Sequence, residues 1–217
     1  MTDTAAFVVA LQALADPLRA ADMAAYMRGR FSFLGIQSTG RRRATRALMR
    51  AAAGDALAVA EALWQLPQRE YQYVACDLLR QQAKHLPPDA LPRVLALVRQ
   101  HSWWDTVDSL AVSVGEMVLR HRELVVVMDR LIADDDFWLR RVALLHQLSW
   151  KMQTDEERLF AYCRHCAPER EFFIRKAIGW ALRQYARVQP ERVRAFLDAE
   201  RENLSPLSLR EAGKHLG

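Results

Sequence analysis

The residues best suited to chemistry lie together in the string Ser102-Trp103-Trp104-Asp105-Thr106-Val107-Asp108. Ser102 and Asp105 have the three-residue offset of a capping box, with Ser102 as N-cap and Asp105 turned back to the backbone amides of a helix start. Asp108 has no such task. It follows Trp104 by one helical turn, so a carboxylate and an indole share one face. The pair suits a cation: an indole face attracts one by about 0.5–2 kcal/mol, and a carboxylate in a dry site adds to that. Two plainer uses compete with this one. Tryptophan pairs often pack in a core, and a mid-helix Asp is often solvated or bound to an Arg. Cys163-Arg164-His165-Cys166 has CxxC spacing, but no second ligand pair accompanies it, so it reads as ordinary helical cysteines with no metal and no cofactor.

The cations form a second chemical set. The chain has 217 residues, with 31 Lys+Arg against 26 Asp+Glu and a net charge of +5; all but four of the basic residues (Lys84, Lys151, Lys176 and Lys214) are Arg. Planar Arg forks match phosphates, so a polyanion is the natural partner, although an Arg-rich composition also follows from a GC-rich genome. The clusters are Arg41-Arg42-Arg43, Arg140-Arg141 and Arg175-Lys176. Contacts of this kind position a duplex without reading its sequence, and they weaken steeply with salt. Helical geometry sets Arg141 away from Leu139, so at most one of Arg140 and Arg141 faces the centre of a groove.

Helices must position these groups. Apolar residues recur at i, i+3, i+4 and i+7 almost throughout, which predicts helices over 4–15, 22–28, 41–53, 55–66, 70–85, 89–100, 103–119, 122–133, 137–152, 155–167, 172–187, 190–201 and 205–216. Thr2 or Thr4 is expected to cap the first, and Ser205 the last, with Pro206 at its first position. Long helices open at Tyr71, Trp103, Phe137, Phe172 and near Leu207, at spacings of 32, 34, 35 and 35 residues, with shorter helices between them. Such a helix-pair period predicts an all-α superhelix, a HEAT-like solenoid whose long helices line a concave basic groove. No Gly/Ser or Pro-rich linker divides the chain, so a single domain over residues 1–217 is expected. No apolar run reaches the roughly 18 residues of a membrane span. Asp3 stands where a signal peptide would carry a cation, and three cysteines in a chain of this size suit a reducing cytoplasm. No heptad calls for a dimer, so a monomer is expected.

The order of several strings resembles the AlkD family of DNA alkylation repair glycosylases. Ser102–Asp108 and Phe172-Phe173-Ile174-Arg175-Lys176-Ala177-Ile178-Gly179-Trp180 carry most of the likeness. Tyr26-Met27-Arg28-Gly29, Phe33-Leu34-Gly35-Ile36, Trp138-Leu139-Arg140-Arg141 and Leu204-Ser205-Pro206-Leu207-Ser208 extend it to the end of the chain. The resemblance implies a HEAT-like glycosylase that removes cationic alkylated purines, of the 3-methyladenine and 7-methylguanine type, from double-stranded DNA. It implies Asp108 as the catalytic carboxylate, Trp104 and Trp180 as cleft tryptophans, and Tyr26 as an aromatic near the lesion duplex. Arg141 (or Arg140) is implied as a phosphate contact. Gln37-Ser38-Thr39-Gly40 departs from the family pattern, where a Pro is expected before the basic triplet. Against the glycosylase stand two other uses of such a fold, a DNA-binding solenoid without chemistry and a protein-binding scaffold.

Overall fold

Several of the chain's helices start where proline or an acidic side chain places them. In the computed structural model, which describes residues 4–216, α1 spans Ala5–Gln12 and α2 Pro17–Tyr26. The Asp16 carboxylate accepts the Arg19 N–H at 3.1 Å and Pro17 fills the first position. This cap starts α2 five residues before the position expected from apolar spacing alone. Thr4 precedes α1 with helical backbone and makes no side-chain cap bond, which corrects the expected cap; Thr2 lies outside the described residues. Next come α3 (Ser38–Ala51), α4 (Ala56–Trp64) and α5 (Arg69–Gln82). They complete the first of two compact units, which ends at His85. In this unit α5 packs on α3 and α4, and α3 on α1, around Leu11, Leu63, Trp64, Leu78 and Leu79.

A buried acid shapes the loop before α3. Glu70 is fully buried, and its carboxylate accepts the backbone N–H groups of Leu34, Gly35 and Ile36 at 2.9, 2.9 and 3.1 Å. Three charge-assisted bonds satisfy an anion that water cannot reach. Gly35 sits at φ +88°, and a Cβ there would lie 2.1 Å from the Asp16 carbonyl oxygen, so glycine is required for the loop to reach α2. The bridge between Ser32 and Gln68 is the one strand-like pairing among the described residues.

The second unit runs from Leu86 onward. It holds α6 (Leu91–Val98), α7 (Trp104–Arg120), α8 (Val125–Leu131), α9 (Phe137–Leu145), α10 (Glu156–Cys166), α11 (Phe172–Ala186), α12 (Pro190–Ala199) and α13 (Pro206–Ala212). α7 packs on α9, α9 on α11 and α11 on α13, while α6 packs on α7 and α9, α8 on α9, α10 on α9 and α11, and α12 on α11. The helix-pair repeat read from the sequence is therefore real, and side chains tie each pair to the next at the same period. Arg99 reaches Asp134, Tyr162 reaches Asp129 and Arg164 reaches Glu200, over 35, 33 and 36 residues.

Three local expectations need correction. Ser102 does not cap α7: its hydroxyl donates to the Val98 carbonyl at 2.6 Å, and the extended Trp103 takes the N-cap position without a side-chain bond. α3 begins at Ser38, so Arg41–Arg43 lie inside it rather than at its start. α9 stops at Leu145 rather than continuing to 152. There Gly115 of α7 approaches so closely that a Cβ would lie 1.8 Å from the His146 carbonyl oxygen. The chain turns away, and the Trp150 indole donates to the Gly115 carbonyl at 3.0 Å. Ser205 does cap α13, accepting the Ser208 N–H, with Pro206 following.

Candidate functional site

The two adjacent tryptophans part company at the start of α7. Trp103 is buried, edge-on to Phe173 at 5.0 Å and near Trp138 at 5.9 Å, in an aromatic cluster at the starts of α7, α9 and α11. Trp104 stays half-buried, and Asp108, one turn on, shares its stripe of the helix surface. The core reading thus suits Trp103, and the surface reading suits Trp104.

Asp108 is bound to an arginine. Arg141 of α9 donates Nε to Oδ1 at 2.7 Å and Nη2 to Oδ2 at 2.9 Å, and its Nη1 donates to the Phe173 carbonyl of α11. One guanidinium therefore joins three successive long helices. Arg141 is buried at 3% side-chain exposure, while Asp108 keeps 16%. Burial pushes the Asp108 carboxyl above its ordinary range; the hydrogen bonds and charge of Arg141 pull against this, and Asp105 adds to the rise. The guanidinium stays charged, so Arg141 favours the carboxylate form against the effect of burial. A carboxylate offers about four lone-pair directions, and Arg141 takes one on each oxygen, so capacity remains on the exposed edge. That edge can receive a water or a cation. Trp180 lies half-buried on α11, one turn beyond Lys176.

The family of DNA alkylation repair enzymes matches residues 8–216, almost the whole chain. The protein belongs to this family. A solved structure described as a predicted DNA alkylation repair enzyme from Enterococcus faecalis is similar to it, at 34% identity and a TM-score of 0.85. The similarity covers 94% of this chain and 97% of that one. No curated protein matches.

Among the basic residues of this family member, several are engaged inside the protein. Arg141, expected as a phosphate contact, is buried and directs three donors to Asp108 and Phe173. Arg140 pairs with Glu169 through Nε and Nη2, at 2.9 and 2.8 Å. Arg175 donates to the Glu169 carbonyl at 2.8 Å and stays half-exposed. Lys176 reaches Glu211 at 2.8 Å. In the first unit Arg41, expected to meet phosphates, is buried, bound to Asp77 at 3.0 Å and stacked over Tyr73. Arg42 shares Asp77 but remains exposed, as does Arg43, and Tyr26 ends α2 with 73% of its surface exposed.

Sequence reasoning allowed Asp108 an Arg partner but did not choose one. The signal was present: Asp108 and Arg141 are 33 residues apart, one helix-pair period. Glu169 and Glu211 were missed outright. The CxxC thiols are buried and free, and burial pushes both far up, away from thiolate chemistry. Among the described residues no group of His, Cys, Asp or Glu is arranged to hold a metal, and no helix is long and apolar enough to cross a membrane.

Proposed function

We propose that this protein is a DNA glycosylase that hydrolyses the N-glycosidic bond of cationic alkylated purines, such as 3-methyladenine and 7-methylguanine, in duplex DNA. One observation carries the reading: on the stripe of α7 that also presents Trp104, Asp108 is paired with Arg141 at 2.7 Å and keeps 16% of its side chain exposed. Membership of an alkylation repair family supplies the DNA substrate class.

The chemistry asks for little else. An N-alkylated purine already carries a positive charge, so when the bond breaks its electron pair neutralises the departing base, and no general acid is needed. Positive charge then spreads over the sugar as an oxocarbenium ion. Asp108 faces this charge as a fixed anion and accepts a hydrogen bond from the water that adds to the anomeric carbon, taking up its proton. Trp104 and Trp180 offer indole faces to the cationic base. The exposed Arg42, Arg43 and Tyr26 and the half-exposed Arg140, Arg175 and Lys176 are assigned to the backbone of the duplex.

Asp108→Asn is expected to lower release of 7-methylguanine from methylated duplex DNA by about 100- to 1000-fold, the effect of losing one preorganised electrostatic group, while binding persists. Unchanged release would remove Asp108 from the mechanism. The bidentate Arg141 also favours a second reading, a solenoid that binds DNA with its acid retired into an ion pair. A wild-type protein that binds methylated duplex and releases no base would establish it.

A further inference from the structure

Three cations converge on one buried carboxylate beside Trp180. Glu211 of α13 has 6% side-chain exposure; its Oε1 receives Lys176 Nζ at 2.8 Å and Lys214 Nζ at 2.7 Å, and its Oε2 receives Arg183 Nη1 at 2.7 Å. These contacts hold the Glu211 carboxyl far below its usual range, at about 2, so it is an anion at any physiological pH. A single cation would neutralise it. Three leave a surplus of two positive charges, with two ammonium groups crowded on the same oxygen. Each ammonium has three donors and spends one on Glu211. The Lys176, Lys214 and Arg183 side chains are 39%, 48% and 19% exposed, so all three reach the surface.

The cluster is built into the packing of α11 on α13. Gly179, the residue before Trp180, has no side chain where a Cβ would meet Glu211 Cβ at 2.5 Å and the Ser208 carbonyl at 2.8 Å. The Ser208 hydroxyl in turn donates to the Arg175 carbonyl at 2.9 Å. Lys176, Trp180 and Arg183 follow one another at helical spacing along one face of α11. The carboxylate therefore sits beneath a cationic surface that flanks the half-buried indole.

We infer that Lys176, Arg183 and Lys214, gathered by Glu211, form a binding site for a phosphodiester of the DNA backbone next to Trp180. This rests on the DNA-directed reading above and adds Arg183, Lys214 and helix α13 to the duplex-binding surface. Glu211 is the positioning residue: it aligns the cations before DNA arrives, so that less side-chain freedom is lost on binding. A phosphodiester carries one negative charge and accepts several hydrogen bonds, which suits a site with surplus charge and spare donors.

The test is the salt dependence of binding to undamaged duplex DNA, which needs no base release. Each lost phosphate contact lowers the slope of log affinity against log salt by about 0.9. The site neutralises one phosphate, so Lys214→Ala and Arg183→Ala are each expected to flatten the slope by part of that amount and the double variant by nearly all of it. Arg201→Ala, which removes the same charge from an exposed pair with Asp198 on α12, is expected to leave it unchanged. A slope unaltered in Lys214→Ala and Arg183→Ala overturns the inference, as does an equal loss in Arg201→Ala. Lys214 is a surface side chain, so its variant tests the site even if Arg183→Ala fails to fold. Slopes unaltered in both variants, with base release abolished by Asp108→Asn, would sink this site alone. Altered slopes with base release untouched by Asp108→Asn would instead sink the catalytic reading.

Discussion

Replacing Arg141 with Leu leaves Asp108 in place and takes away its counter-ion. Two charge-assisted bonds, at 2.7 and 2.9 Å, disappear, together with the bond to the Phe173 carbonyl. With 16% of its side chain exposed, Asp108 regains little hydration in return. Breaking one side of a buried pair costs roughly 3–5 kcal/mol, and the third lost bond places this case towards the upper end. The pH dependence isolates the carboxylate from the lost packing. Burial already raises the Asp108 carboxyl, and without Arg141 it rises further, so the folded variant takes up a proton more readily than the unfolded chain. Stability of such a state falls as pH rises through that window and recovers on acidification. The gap in unfolding free energy between native protein and Arg141→Leu should therefore be widest at neutral pH and narrow under mildly acidic conditions. Urea unfolding at both pH values measures it, with 7-methylguanine release followed in parallel and expected to fall. Arg141→Lys, which keeps the charge and loses the fork, should lie between. A gap below about 1 kcal/mol, within the range of an ordinary surface substitution, or one that does not change with pH, would refute this account of the pair.

The buried His146 should make the fold acid-sensitive. Desolvation lowers it from 6.5 to about 4, so native stability should decline by up to about 3 kcal/mol as pH falls through that interval, and His146→Leu should flatten the decline in unfolding titrations. Trp103→Ala should cost about 3–5 kcal/mol in thermal unfolding by emptying the aromatic cluster, while Trp104→Ala stays within about 1 kcal/mol and slows base release at least tenfold. Equal stability losses in the two would contradict the division of labour seen at the start of α7. Glu70→Gln should destabilise the first unit by at least about 2 kcal/mol, because one amide oxygen cannot satisfy three backbone donors; urea unfolding within error of native would show that the loop holds without its anion.

The helices were legible because their apolar spacing is local information, and the repeat because its aromatic starts recur at a constant interval. What sequence could not supply was the choice among polar partners. Ser102 had the spacing of a cap, yet its hydroxyl found the nearer Val98 carbonyl once Trp103 swung into the aromatic cluster. Arg41 and Arg42 look alike in sequence, and only the packing of α3 on α5 decides that one is buried over Tyr73 and the other stays outside. Asp108 stood out at once. Its bond to Arg141 depends on the register between α7 and α9, which a period of about 34 residues suggests without deciding which of two neighbouring arginines turns inward. The end of α9 was misjudged because apolar residues continue through Trp150, while the cause of the break, Gly115, belongs to another helix.

The guanidinium shared by α7, α9 and α11 makes aim a collective property. The acid's rotamer is set by an arginine one repeat further on, and that arginine is braced by a carbonyl two repeats on. A fragment ending before Phe173 would contain every atom of the acid and lack its bracing. Any slip in how these repeats stack would displace the acid before it unfolded the chain, so on the proposed reading base release would double as a gauge of docking from α7 to α11.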